Sequence, residues 1–211
     1  MINQVSFSSS ELAQISNKLN EILFTSNSWS DSDLDNIKKT IKGFYLNEQV
    51  FTCPYCKQKI RSKNGRYWDI EHIICRSSVP NFMFEPLNLC MSCVDCNIAK
   101  SHKKVTISKA KKKYPNKSSD YLIVHPHFDS YEDNIIVIKE GFYYVAKKPK
   151  GEKTIEICRL NRFYEFSEFG EDVQDDDRIF LLSEQLRRTD DINEKKRIKR
   201  EIAELAIKGL G

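Results

Sequence analysis

Cys53-Pro-Tyr-Cys56 and the trio Cys90, Cys93 and Cys96 are the residues of this sequence whose types and spacing imply a chemistry. A Cys-x-x-Cys step lets one tight turn aim two thiolates at the same ion. Four thiolates around a tetrahedral Zn²⁺ make the closed, structural kind of site. The trio holds two overlapping pairs of that spacing, so spacing alone leaves the second pair open. Between Cys56 and Cys93 lie 36 residues, longer than a simple zinc ribbon, so another element must fold inside the gap. Buried thiols acting as small hydrophobes would not explain the paired spacing. Cys75 and Cys158 have no such partner and read as spectators.

Inside the gap, Trp68-Asp69-Ile70-Glu71-His72-Ile73-Ile74 reads as a strand with alternating faces. An acidic residue directly before a histidine is an awkward pair to bury, and it needs a reason. Asn88-Leu89 follows, then Cys93, Cys96, Asn97 and Lys100. The order acidic-His-Ile, Asn-Leu, Cys-x-x-Cys-Asn-x-x-Lys resembles the HNH endonucleases, whose core is a ββα-metal finger. The resemblance spans residues 50–104, about a quarter of the chain. It implies that His72 is the general base and that Glu71 and Asn97 hold a catalytic divalent metal. It implies too that Asn88 braces the histidine loop by hydrogen bonding. It assigns the zinc pair to Cys93 and Cys96, with Cys53 and Cys56, and leaves Cys90 to the core. Two positions depart from the family pattern. Cys75 stands where a proline is common, and Asn97 stands where histidine is frequent but keeps an oxygen ligand suited to Mg²⁺ or Mn²⁺. Asp69 shares the face of Glu71 and reads as a structural carboxylate before a water-mediated metal ligand.

The implied chemistry is physically coherent. A neutral imidazole with an ordinary pKa of about 6.5 can take a proton from water at neutral pH. A divalent cation can bind a scissile phosphate and the departing 3′ oxygen. Substrate grip is expected just downstream, where residues 100–117 contain eight lysines and no acid. Lys100, Lys103, Lys104, Lys109, Lys111, Lys112, Lys113 and Lys117 read as point charges for phosphates, which carry no sequence information. Arg66 and Arg76 can add clamping. The expected partner is therefore nucleic acid, taken to be DNA, with no base-reading module in the chain.

Other elements must position these residues. Ser8 with Glu11 fits a capping box, and Leu12, Ile15, Leu19, Ile22 and Leu23 share one face, which predicts a helix over residues 8–24. A polar break, SNSWSDS, precedes a second helix expected from Asp33 to Lys42, capped by Ser30 or Ser32 and stopped by Gly43. Both helices read as core packing. YLIV, NIIVIKEGFYYVAK with a turn at Glu140-Gly141, and TIEICRL read as strands. His125-Pro126-His127 reads as a turn between strands and not as a second metal site. From Asp177 to Lys208 the pattern is helical, with a fresh cap near Thr189-Asp190-Asp191 and Glu194. The expected fold is α+β, with boundaries 1–49 helical, 50–117 finger and basic stretch, 118–170 a small antiparallel β region, and 171–211 helical.

Composition bounds the rest. The 211 residues are 40% hydrophobic and 11% aromatic, enough for a packed core, and the formal net charge is +4. No apolar run reaches membrane-spanning length, and the opening MINQVSFSSSELAQ lacks the basic and apolar regions of a secretory signal. A cytoplasmic protein with reduced thiols is expected, and no membrane partner. The segments HPHFDSYEDNI and KGEKTIEICRLNR are loosely similar to the nuclease subunit of Septu-type bacterial anti-phage systems. That similarity implies an ATPase partner, docked through the C-terminal helices. The competing expectations are a non-catalytic zinc nucleic-acid-binding module and an assembly subunit.

Overall fold

Ser8 opens the first helix as its side chain predicts. In this computed structural model, which describes residues 1–108, 112–163 and 175–208, the Ser8 hydroxyl accepts from the Glu11 amide at 3.3 Å. The Glu11 carboxylate accepts from the Ser8 amide at 2.8 Å. Helix α1 (Ser9–Leu19) ends well before residue 24, because the Asn20 side chain turns back to donate to the Ser16 carbonyl. Ile15 reaches the core, while Ile22 and Leu23 lie past the helix and are exposed.

Two 3₁₀ turns, Ser26–Ser30 and Ser32–Leu34, carry the polar break into α2 (Asp35–Glu48). Neither Ser30 nor Ser32 caps α2; the second 3₁₀ turn feeds straight into it, with Leu34 at the cap position. Gly43 does not stop this helix. Open space surrounds it, and the helix continues because Tyr45 and Leu46 are buried within the next turn.

Helix α2 packs on a two-stranded antiparallel sheet of β1 (Trp68–His72) and β2 (Leu89–Cys93). Its register pairs Trp68 with Cys93, Glu71 with Cys90 and His72 with Leu89. Gln49, just past α2, donates to the Met91 carbonyl at 2.7 Å and accepts from the Met91 amide at 2.8 Å. The side chain thereby satisfies backbone groups that an edge strand would leave open. Helix α3 (Val94–Lys100) follows β2 without a loop and ends at Ser101, held at φ 48° and ψ −131°.

A second hairpin, β3 (Ile135–Lys139) and β4 (Tyr143–Ala146), turns at Gly141, whose φ of 74° suits glycine. The expected strand TIEICRL is instead the end of helix α4 (Pro149–Cys158). Pro149 starts it, and Gly151, Thr154, Ile157 and Cys158 are buried at helical spacing, a pattern that Ile155-Glu156-Ile157 mimics as alternation. The small β region of 118–170 thus holds a helix as well as a hairpin in its described part. YLIV makes only an isolated bridge, Thr106 to Tyr121.

Helices α5 (Asp175–Arg188) and α6 (Ile192–Lys208) form a hairpin with its own small core of Leu182, Ile198 and Leu205. Asp191 caps α6 by accepting from the amides of Asn193 and Glu194, and Thr189 is hydrogen-bonded to Glu194. The expected boundary at residues 170/171 lies outside the described residues. Mixed helices with two small antiparallel sheets make the fold α+β. Among the described residues, no helix is long and apolar enough to cross a membrane.

Candidate metal centre and catalytic cleft

The Cys53-Pro-Tyr-Cys56 turn and the junction of β2 with α3 meet at one point. The ligand atoms of Cys53, Cys56, Cys93 and Cys96 all lie within 4.8 Å of one another, and all four residues are buried. The Sγ atoms of Cys56 and Cys93 are 3.7 Å apart. This cluster can hold a metal ion such as zinc, because four thiolates at that spacing need a cation between them. Cys93 belongs to β2 and Cys96 to the first turn of α3, so an ion here would pin the strand–helix corner. Arg162 beyond α4 donates to the Cys96 sulfur at 3.8 Å, a counter-charge to the thiolates. Cys90 is fully buried away from the cluster, Cys158 is likewise core, and Cys75 is half-exposed.

The β1–β2–α3 unit also lines a cavity of about 690 Å³, with Asp69, Glu71, His72, Asn97 and Lys100 on its wall. The spacing in sequence becomes proximity here for a simple reason. Asp69 and Glu71 project from one face of β1, and Asn97 and Lys100, three apart on α3, form one helical face opposite them.

His72 ends β1. Its Nε2 lies 3.1 Å from the Met83 carbonyl, which can only accept, so Nε2 carries the proton and Nδ1 keeps its lone pair. Burial, with the Arg76 charge adding to it, pushes the imidazole down to about 3, so the ring stays neutral through the physiological range. Asn88 is fully buried and ties the loop that follows His72. It accepts from the Ile74 amide at 2.7 Å and donates to the Ile74 and Phe82 carbonyls at 3.1 and 2.9 Å.

Glu71 is buried in an ion pair with Lys100 at 2.6 Å and accepts from the Tyr55 hydroxyl at 3.2 Å, both on Oε1. Burial raises the Glu71 carboxyl while Lys100 opposes it. On Lys100 the attraction of Glu71 outweighs burial and holds the ammonium above its ordinary value. Asn97 donates to Asp69 at 2.7 Å, and since a carboxylate only accepts, the amide Oδ1 points away from that contact.

One expected phosphate contact parts company with the structure. Lys100 is 1% exposed and also donates to the His72 carbonyl, so it is a buried structural cation and not a surface phosphate contact. Lys103 and Lys104 are exposed but donate to the Ile157 and Ile107 carbonyls. Lys112 and Lys113 are exposed to solvent, while Lys109 and Lys111 lie outside the described residues. Neither His125 nor His127 joins a metal group among the described residues; both are buried hydrogen-bonding residues. The cavity wall also includes Trp29, Lys42 and His102, which carry no motif. Trp29 sat in what the sequence presents as a polar break, and nothing local marks it as reaching His72.

Comparison with known proteins adds no relatives: no family model, no curated protein and no solved structure matches the chain.

Proposed function

We propose that this protein is a metal-dependent endonuclease that hydrolyses DNA phosphodiester bonds. One observation carries the reading. A braced, neutral histidine with a free Nδ1 shares a cavity with Glu71 and Asn97, next to a cysteine cluster able to hold a structural zinc. In this mechanism His72 Nδ1 takes the proton of the attacking water as the water oxygen bonds to phosphorus and the bond to the 3′ oxygen breaks. Asn88 holds the loop so that the base does not drift, and burial keeps the imidazole unprotonated, below the ordinary value expected from the sequence.

The donor chemistry fits a hard divalent cation. Glu71 uses Oε1 for Lys100 and Tyr55, leaving Oε2, and Asn97 uses its amide nitrogen for Asp69, leaving Oδ1. Mg²⁺ or Mn²⁺ held by these oxygens would supply charge neutralisation on the phosphate and leaving oxygen. Asp69 then acts as the group that orients Asn97.

DNA grip is assigned to Lys112 and Lys113, with Lys103, Lys104 and Lys111 of the same stretch. The narrower reading, an effector nuclease of an anti-phage system with an ATPase partner, rests on the loose sequence similarity. The α5–α6 hairpin, which has its own small core and leaves Phe180 and Ile192 exposed, is the docking element it would use.

Conversion of supercoiled plasmid in Mg²⁺ or Mn²⁺ tests the activity. Nicked or linear product is expected from wild type and not from His72→Ala or in EDTA. Wild type that binds DNA without cutting it, alone and with cell extract, would favour the binding-module reading. Elemental analysis should find about one zinc per chain, resistant to mild chelation. Folded protein without zinc would overturn the four-cysteine assignment.

A further inference from the structure

We propose that Trp29 is a positioning residue that sets the plane of the His72 imidazole from outside the β1–β2–α3 unit. The inference rests on the reading of His72 as the general base. The Met83 carbonyl holds Nε2 at 3.1 Å, but a ring that swings about its Cβ–Cγ bond carries Nε2 off that carbonyl, and a single hydrogen bond resists the swing only weakly. Trp29 supplies the missing constraint. Its ring centroid is 4.7 Å from that of His72 with the planes at 86°, the perpendicular arrangement that aromatic quadrupoles favour. Phe84, from the loop after His72, lies 6.0 Å from Trp29.

The segment carrying Trp29 is itself anchored on both sides. Arg76, four residues past His72, donates to the Ser26 carbonyl at 2.8 Å and so ties the 3₁₀ turn to the histidine loop. Lys18 of α1 is 6% exposed and pairs with Asp31 at 3.2 Å and Asp33 at 2.8 Å, closing the far end of the same segment. The Thr25 hydroxyl accepts from the Asn27 amide at 3.2 Å, which holds the turn in shape. A tryptophan held this firmly, half-buried on the wall of the cavity, leaves the imidazole one orientation, with Nδ1 available to the substrate water.

Two variants separate positioning from bulk packing. Trp29→Phe keeps an aromatic face, and Trp29→Leu keeps an apolar side chain without one. Two readouts are taken on full-length, zinc-loaded protein: ¹⁵N shifts of the His72 ring nitrogens, and plasmid cleavage at saturating and limiting DNA. The phenylalanine variant should keep the Nε2–H tautomer signature and cut within a few-fold of wild type. The leucine variant should show tautomer-averaged shifts and lose about 100-fold in kcat with KM little changed, as misplacement of a reacting group does. If the leucine variant loses its zinc, Trp29→Met, which fills irregular space, takes its place. An unchanged tautomer signature without the aromatic ring overturns the proposal whatever the activity. A signature lost in Trp29→Leu and kept in Trp29→Phe, in a protein that never cleaves DNA, would uphold the positioning and overturn the nuclease reading.

Discussion

Lys100 shows how a residue's meaning changes with its surroundings. In the sequence it heads a lysine run, yet it is enclosed with Glu71 at 2.6 Å, and its ammonium also binds the His72 carbonyl. Removing one partner of such a pair leaves a buried charge uncompensated. Lys100→Met should therefore cost about 3–5 kcal/mol of stability in denaturant titration. Adding Glu71→Gln should recover a good part of that loss, because a neutral amide tolerates burial better than a lone carboxylate. A double variant no more stable than Lys100→Met would show that the ammonium stabilises the fold through His72 and not through Glu71. The same pair explains why the acidic residue before the histidine can be buried at all.

At the scale of elements, the site depends on corners. The β2–α3 corner is made by Cys93 and Cys96, and α3 ends in a backbone conformation that L residues rarely adopt, Ser101 at φ 48° and ψ −131°. Strain of that kind costs on the order of 1–3 kcal/mol, partly offset in a glycine by the freer unfolded chain. Ser101→Gly is expected to raise stability by about 1 kcal/mol while leaving zinc content unchanged. A destabilised glycine variant would mean that the Ser101 hydroxyl, 3.2 Å from the His102 ring nitrogen, matters more than the backbone. Helix α4 carries the complementary lesson. Its Ile155-Glu156-Ile157 alternation reads as a strand, but Pro149 at the start and burial at helical spacing decide otherwise.

Across the whole molecule, buried neutral histidines predict sensitivity to acid. The His127 amide donates to His125 Nδ1 at 3.2 Å. His125 Nε2 faces the Tyr114 oxygen at 3.1 Å, and Tyr114 in turn donates to the Leu87 carbonyl at 2.8 Å. That chain needs the His125 Nδ1 lone pair, and burial, with His127 and Lys150 adding to it, pushes this imidazole down to about 2. The folded state thus refuses a proton that the unfolded chain accepts below its ordinary value of about 6.5. The contribution is complete above that pH and is lost as pH falls, by roughly 1.4 kcal/mol per unit for one such group. Urea titrations between pH 6 and 4 should show a shallower decline for His125→Gln than for wild type. Parallel declines would remove His125 from the acid response.

Local chemistry makes much of this protein legible in its sequence. The Ser8–Glu11 cap, the Glu140-Gly141 turn, the paired cysteines and the spacing of Asn97 and Lys100 act over a few residues, where spacing and geometry are nearly the same thing. The choice of Cys93 and Cys96 over Cys90 came from a family resemblance, and the cluster of four matches it. Only tertiary packing could decide that Lys100 turns inward, that Gly43 is passed over, and that α4 is a helix. Each depends on what lies opposite in space and not on what lies beside it in the chain. Trp29 is the clearest case: it stands 43 positions before His72 in sequence, and 4.7 Å separate their rings in the fold.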